Sequence, residues 1–425
     1  MKQLPGILFF FLFLQLQVQA QRMCASQQYT QQLSSTNPAA KIAIEQAAKQ
    51  VQLTLDKAKK YAARDTTGNE LINIPVVVHV LYANAAQNIS DAQILSQLTA
   101  LNNDFAGQNA DRVNTPSVFK NLAAGDVRIR FCLAQVDPKG KKTTGIIRKA
   151  TNIVNFTADD AMKFSAAGGD DGWNSQQYLN IWVCGLGARS LGYATVPGTA
   201  ADKDGVVIAY DVFGTTGTLR VPFNKGRTAT HEVGHWLGIK HIWGDDQCGD
   251  DGVEDTPRQR GYNYGCPAFP RVTECSQDAN GDMFMNYMDF SDDACMNMFT
   301  NGQKKRMRAV FASGNARNSF LTAFACDSTL VQPAPAIEPE PVVKAADAYK
   351  VYPNPVSGNM TIEYAPAEEF VSKSINIYNT QGTKVYSGLL NKEKSTVAMQ
   401  KLVPGLYIVR IGEGKTAVAI KILKQ

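Results

Sequence analysis

Apolar positions are bunched at the start of the chain. In MKQLPGILFFFLFLQLQVQA, Lys2 precedes an unbroken apolar run from Gly6 to Leu14, and Val18-Gln19-Ala20 follows as a small-residue cleavage site. A run of nine is too short to cross a bilayer, so residues 1–20 read as a signal peptide. From 21 to 64 the chain is polar and rich in Gln and Ala, with a helical period from about Ala39 to Ala62. The first strand pattern is Ile72 to Tyr82, INIPVVVHVLY, mostly β-branched. His79 falls inside its apolar run and reads as a core histidine. Ser90 can cap a helix that continues to about Phe105. Strand patterns recur at 127–135, 145–149, 178–184 and 205–211, and their alternation with helix predicts an α/β (α+β) domain with a mixed, twisted sheet. Residues 327–346, DSTLVQPAPAIEPEPVVKAA, place four prolines in nine residues and read as a stiff, extended linker. Beyond it, strand patterns at 360–364, 374–378, 383–387 and 405–411 predict a small all-β, sandwich-like domain over 347–425.

Composition changes this picture in two places. The net charge of +5 is confined to residues 344–425, which carry eleven Lys and Arg against six Asp and Glu. The rest of the chain is neutral, with no basic stripe, so a nucleic-acid partner is not expected. Eight cysteines behind a signal peptide point to an oxidising compartment in which most are paired. No later segment reaches membrane-spanning length.

The chemistry is concentrated in residues 231–241, HEVGHWLGIKH, which hold three of the four histidines. On a helix, His231 and His235 lie one turn apart on one face, with Cβ atoms roughly 6 Å apart, close enough to share a metal ion. Gly238 can adopt the left-handed conformation that ends a helix, which lets His241 return as a third ligand. Three imidazoles leave a fourth position for water, the catalytic arrangement of Zn²⁺. Glu232, about 100° around the helix from His231, is placed to act as general base.

These eleven residues match the zinc signature of the metzincin metalloproteases. Further matches are the strand IPVVVHVLY, YLNIWVCGL at 178–186, LGYATVPG at 191–198, and the segment NYMDFSDDACMNMF at 286–299, where a metzincin carries its methionine turn. Together they resemble the pappalysin branch over roughly residues 72–326. The resemblance implies an upper sheet, a zinc helix along the cleft floor and an irregular lower part, in a catalytic domain spanning 65–326. It implies Met288 as the hydrophobic floor beneath the imidazoles. It also implies Asp293 as the base of a pocket preferring Arg or Lys at the P1′ position, with Asp292 competing for that role and a local capping role as the alternative. Many relatives carry a tyrosine two residues after the turn methionine; here Phe290 stands there and cannot donate a hydrogen bond.

Residues 245–255, DDQCGDDGVED, hold six acids in eleven residues. By the family pattern this loop binds Ca²⁺ through the Asp251 and Thr256 side chains and carbonyls at Asp250 and Glu254; the alternative is a solvated acidic loop. The resemblance pairs Cys248 with Cys275 and Cys266 with Cys295. It further implies that residues 21–64 are an inhibitory propeptide whose Cys24 occupies the fourth zinc position. Cys24 as a ligand leaves seven cysteines, one of them unpaired; otherwise four disulfides are possible. Self-cleavage at Ala63-Arg64 would release the mature form. The segment 347–425, with Tyr352-Pro353-Asn354-Pro355, GLYIVRI at 405–411 and a terminal KILK at 421–424, resembles the sorting domain of type IX secretion cargo. A secreted or surface-bound zinc endopeptidase, exported through the periplasm by that machinery and acting on proteins or peptides, is the expectation. A non-catalytic secreted zinc-binding or adhesive protein is the alternative. An extended substrate is expected along a sheet edge, with the strand at 204–211 as candidate.

Overall fold

The β-branched run at 72–82 becomes the central strand of the catalytic sheet, buried at nearly every position. The computed structural model describes residues 24–60, 70–187, 190–276, 279–323, 326, 349–364, 372–379, 383–412 and 417–425. The signal peptide, the Ala63-Arg64 bond and the proline-rich linker lie outside them. The chain divides into a unit within 1–332 and a unit within 333–425.

In chain order the first unit runs α1 (Ser26–Thr36), α2 (Pro38–Lys60), β1 (Ile72–Tyr82), α3 (Asp91–Ala106), β2 (Ile129–Leu133), β3 (Ile146–Ala150), β4 (Leu179–Cys184), β5 (Gly192–Ala194), β6 (Val206–Ala209), α4 (Arg227–Trp236) and α5 (Asn301–Ala309). β1 pairs in parallel with β2 and β3 along one side and with β4 along the other. β6 continues the sheet parallel to β4, and the short β5 closes it antiparallel to β6. The expected mixed sheet therefore forms, but its free edge at this end is β5. The strand at 204–211, expected to receive substrate, is interior: all four residues of β6 are buried and hydrogen-bonded on both sides. A strand apolar on both faces suits a sheet interior, where both faces are covered.

Ser90 caps α3 by accepting from Gln93 N, and Ile94, Leu98, Leu101 and Phe105 bury the helix's apolar face in the main core. His79 is fully buried, bonded to Asp170 and Asn180 and stacked 5.1 Å from Trp182. Between α4 and α5 the described residues form neither helix nor strand, and two disulfides, Cys248–Cys275 and Cys266–Cys295, brace this stretch. A third, Cys132–Cys326, ties the end of the unit to β2, while Cys184 is buried with its thiol free.

The second unit comprises β7 (Tyr349–Tyr352), β8 (Asn359–Tyr364), β9 (Lys373–Asn379), β10 (Lys384–Leu390), β11 (Lys394–Ala398), β12 (Gly405–Ile411) and β13 (Val418–Lys424). They form antiparallel sheets in the orders β10-β9-β12-β13 and β11-β8-β7. Met360, Ile362 and Val397 of one sheet share a core with Ile375, Ile377, Val409 and Ile422 of the other, which makes the pair a sandwich.

Candidate metal centre

The helix that carries the histidines is buried at every position, and Asp293 holds its N-terminus. The Asp293 side chain is fully buried, and its Oδ2 accepts from Lys225 N at 2.8 Å, just before the helix, and from Arg227 N at 3.2 Å, a donor that the first turn leaves unpaired. At the other end Gly238 has φ +82°, and its N–H donates to His235 O at 2.8 Å. That left-handed turn sends the chain back so that His241 faces the helix.

Nε2 of His235 lies 3.1 Å from Nε2 of both His231 and His241. The opposite ring nitrogens have fixed partners: His231 Nδ1 donates to Tyr287 O at 2.7 Å, His235 Nδ1 to Ile239 O at 2.8 Å, and His241 Nδ1 pairs with Asp245. Carbonyl oxygens only accept, so the protons of His231 and His235 reside on Nδ1 and their Nε2 lone pairs point inward. Burial, and then the neighbouring His241, push His235 down to about 3, so it is neutral near pH 7. Converging lone pairs at this distance repel unless a cation lies between them, so the donor set fits a metal of the zinc type. Asp245, which orients His241, was legible only as one of the acids in the 245–255 loop.

Met288 is fully buried beneath this helix. A Cβ added at Gly234 would stand 2.5 Å from Met288 Sδ, so the methionine floor and the glycine between the histidines require each other. Phe290 packs 5.0 Å from His241 and 5.8 Å from His231, and Trp243 stacks 4.3 Å from His241. Tyr287 is fully buried, and its hydroxyl accepts from Arg227 at 3.3 Å.

Cys24 reaches this cluster from the other end of the sequence, its Sγ and the three imidazoles offering ligand atoms within 4.8 Å of one another. Its thiol is 3.3 Å from Glu232 Oε2, and burial, followed by that carboxylate, pushes the thiol well above its ordinary pKa. A cation among the imidazoles would supply what a thiolate needs there. Ser26 Oγ donates to the same Glu232 oxygen at 2.7 Å and accepts from Ala194 N at 2.8 Å. Ala25 N donates to Gly192 O at 3.0 Å, so the segment pairs in parallel with the β5 edge. Ser26 and β5 were not singled out from sequence, since neither a serine beside a cysteine nor a three-residue strand carries a distinctive pattern.

In the acidic loop Asp251 is buried and its Oδ1 accepts from Val253 N and Thr256 Oγ1, both at 2.9 Å. Oδ2 is buried with no donor in range, and burial pushes the carboxyl up to about 6. The Asp250 side chain pairs with Arg258 and that of Glu254 with Lys59 of α2.

Comparison with known proteins agrees with this geometry. Residues 165–312 match the family described as pregnancy-associated plasma protein-A, peptidase family M43, and residues 350–425 match the secretion system C-terminal sorting domain. Mature mirolysin of Tannerella forsythia, solved with a cleaved peptide, is 52% identical with a TM-score of 0.59, covering 62% of this chain and all of that one. A mutant of promirolysin from the same organism is 47% identical with a TM-score of 0.66, covering 73% of this chain and all of that one. An extracellular metalloprotease of Verticillium alfalfae is 30% identical over 276 residues, which is 62% of this chain and 84% of that protein. No described helix is long and apolar enough to cross a membrane, and the protein is secreted or held at the cell surface. The chain belongs to the pappalysin family of metalloendopeptidases and ends in a type IX secretion sorting domain.

Proposed function

We propose that the protein is a zinc endopeptidase made as a latent zymogen, with His231, His235 and His241 as ligands and Glu232 as general base. The observation that carries this is the convergence of three imidazole Nε2 atoms beside a buried carboxylate. Zinc held there would polarise the scissile carbonyl and lower the pKa of a nearby water to about 7. Glu232 takes the proton from that water and returns it to the departing amine. Phe290 adds no hydrogen bond to the developing oxyanion, so its part is to pack and orient the imidazoles. An extended peptide lies along β5 and uses Gly192 O and Ala194 N, the groups that bind residues 25 and 26 in the zymogen.

With zinc bound, Cys24 would be a further ligand in place of water until residues 21–64 are removed, with Ala63-Arg64 as the bond cut. The structures of mature mirolysin with a cleaved peptide and of promirolysin support the same two states here. Asp293 would favour Arg or Lys at P1′ through a charge-assisted contact, in addition to holding the helix. The buried, donorless Asp251 Oδ2 supports Ca²⁺ in the acidic loop, with Thr256 and the carbonyls of Asp250 and Glu254 completing the ligands. Export is by the type IX machinery through residues 347–425, with 327–346 as linker.

The test is digestion of a peptide library by the mature enzyme and its Glu232→Ala and Asp293→Asn variants, with zinc content measured. Glu232→Ala is expected to keep zinc and to lose at least about a hundredfold in kcat/KM. Equal cleavage by both would sink the mechanism. Asp293→Asn is expected to lose the Arg/Lys preference at P1′ more than the cleavage of neutral peptides.

A further inference from the structure

Tyr29 of α1 does not touch the metal ligands, yet it is buried and enters a built polar seat. Its hydroxyl donates to Asp160 Oδ2 at 2.7 Å, and its ring lies 5.0 Å from that of Tyr193 on β5. Tyr193 donates to Asp160 Oδ1 at 3.0 Å. Lys163, fully buried, pairs with the same oxygen at 2.8 Å, and Lys203 stands 3.4 Å from Oδ2. Burial opposes the charge on Asp160, but Lys163 and the hydrogen bonds from Lys163, Tyr29 and Tyr193 outweigh it and hold its carboxyl below the ordinary value. The carboxylate is therefore an acceptor only, and whatever meets Oδ2 must donate. Asp160 itself sits at φ +69°, a conformation that a non-glycine residue rarely adopts.

The seat adjoins β5, the edge to which the zymogen segment pairs and along which a substrate would extend. When α1 departs, Oδ2 loses its phenol donor while Lys163 and Tyr193 keep Oδ1 in place. The Tyr193 ring offers an aromatic partner, and Oδ2 accepts a neutral hydroxyl. We propose that this seat, formed by Asp160, Tyr193, Lys163 and Lys203, is a substrate subsite for a tyrosine side chain, which Tyr29 fills in the zymogen. The proposal rests on the peptidase reading and adds a second specificity determinant to it, away from the scissile bond.

The experiment is hydrolysis by the mature enzyme of peptides in which each position flanking the cut is varied among Tyr, Phe, Leu and Arg. At one position Tyr is expected to exceed Phe by about tenfold or more in kcat/KM, the range for a hydrogen bond to a charged acceptor. In Asp160→Asn that ratio should fall towards one, the comparison being made within the variant so that any loss common to all peptides cancels. Lys203→Gln, on a part-exposed side chain that leaves the buried pair intact, removes the other donor near Oδ2 and should raise the Tyr-over-Phe ratio at that position several-fold. It serves if Asp160→Asn does not fold. Equal rates for Tyr and Phe at every position, or ratios unmoved by both variants, would overturn the subsite alone. An enzyme that cuts none of the peptides would overturn the peptidase reading and the subsite with it.

Discussion

Ser26 places its hydroxyl 2.7 Å from the carboxylate proposed to take a proton from water, so on the proposed latency mechanism the block would fall at the base as well as at the metal. A hydrogen bond to a buried charge contributes about 1.5–3 kcal/mol. The Ser26→Ala zymogen should therefore show roughly tenfold more residual peptide hydrolysis than the parent, and Cys24→Ala more still. Residual activity indistinguishable from the parent would remove Ser26 from the latency mechanism. At Gly234 the requirement is steric. An added methyl would meet Met288 Sδ at 2.5 Å, so Gly234→Ala should lower stability by about 1–3 kcal/mol and reduce bound zinc. Adding Met288→Ala to that variant should restore part of the zinc content, read by metal analysis on purified protein. The three histidines and Glu232 could be read from the sequence because they lie on one helix and its return turn. Ser26 and Gly234 could not, because their partners, Glu232 and Met288, are distant in sequence and only the fold brings them together.

Strong, long patterns gave their elements within a few residues: β1 at 72–82 as expected, and α3 closing one residue past the expected Phe105. Two elements that shape the cleft were not anticipated. α1 is rich in Gln, Ser and Thr with almost no apolar stripe, and it is held by Cys24, Ser26 and Tyr29 rather than by propensity. β5 has three residues, too few to display an alternation, and its role as the edge follows from pairing with β6 alone. The acidic loop is legible by charge, but sequence does not distinguish the buried Asp251 from the exposed Asp250. With Oδ2 lacking a donor, Asp251 should make the fold depend on Ca²⁺. Chelation with EGTA is expected to lower Tm by several degrees and Asp251→Asn to abolish that difference. A Tm indifferent to EGTA would leave the loop as solvated acid.

At the scale of the whole chain, the two units have separate cores. A chain ending at residue 346 should therefore fold and, once mature, cleave peptides with kcat/KM within about twofold of the full-length enzyme. The same truncation should leave it in the periplasm, which fractionation and activity assays would show together. Equal export with and without residues 347–425 would contradict the sorting role. The sandwich could be read from its alternating strands, although the order of its sheets could not, because hairpin and crossover partners share one pattern.

The disulfide between Cys132 and Cys326 spans 194 residues of sequence. On the chain-entropy view, closing so long a loop stabilises the fold by on the order of 5 kcal/mol. Its position has a mechanical consequence. Cys326 is the last described residue before the linker, so the exit point of the catalytic unit is riveted to β2. A pull on the tail during export, or a cut within the linker, is borne by a covalent crosslink instead of by α5 and the segment after it. Fraying from that end cannot propagate towards the histidines while the bond is intact. A reducing environment would remove this strain relief, and the tail would then become a handle for unravelling the enzyme it delivers.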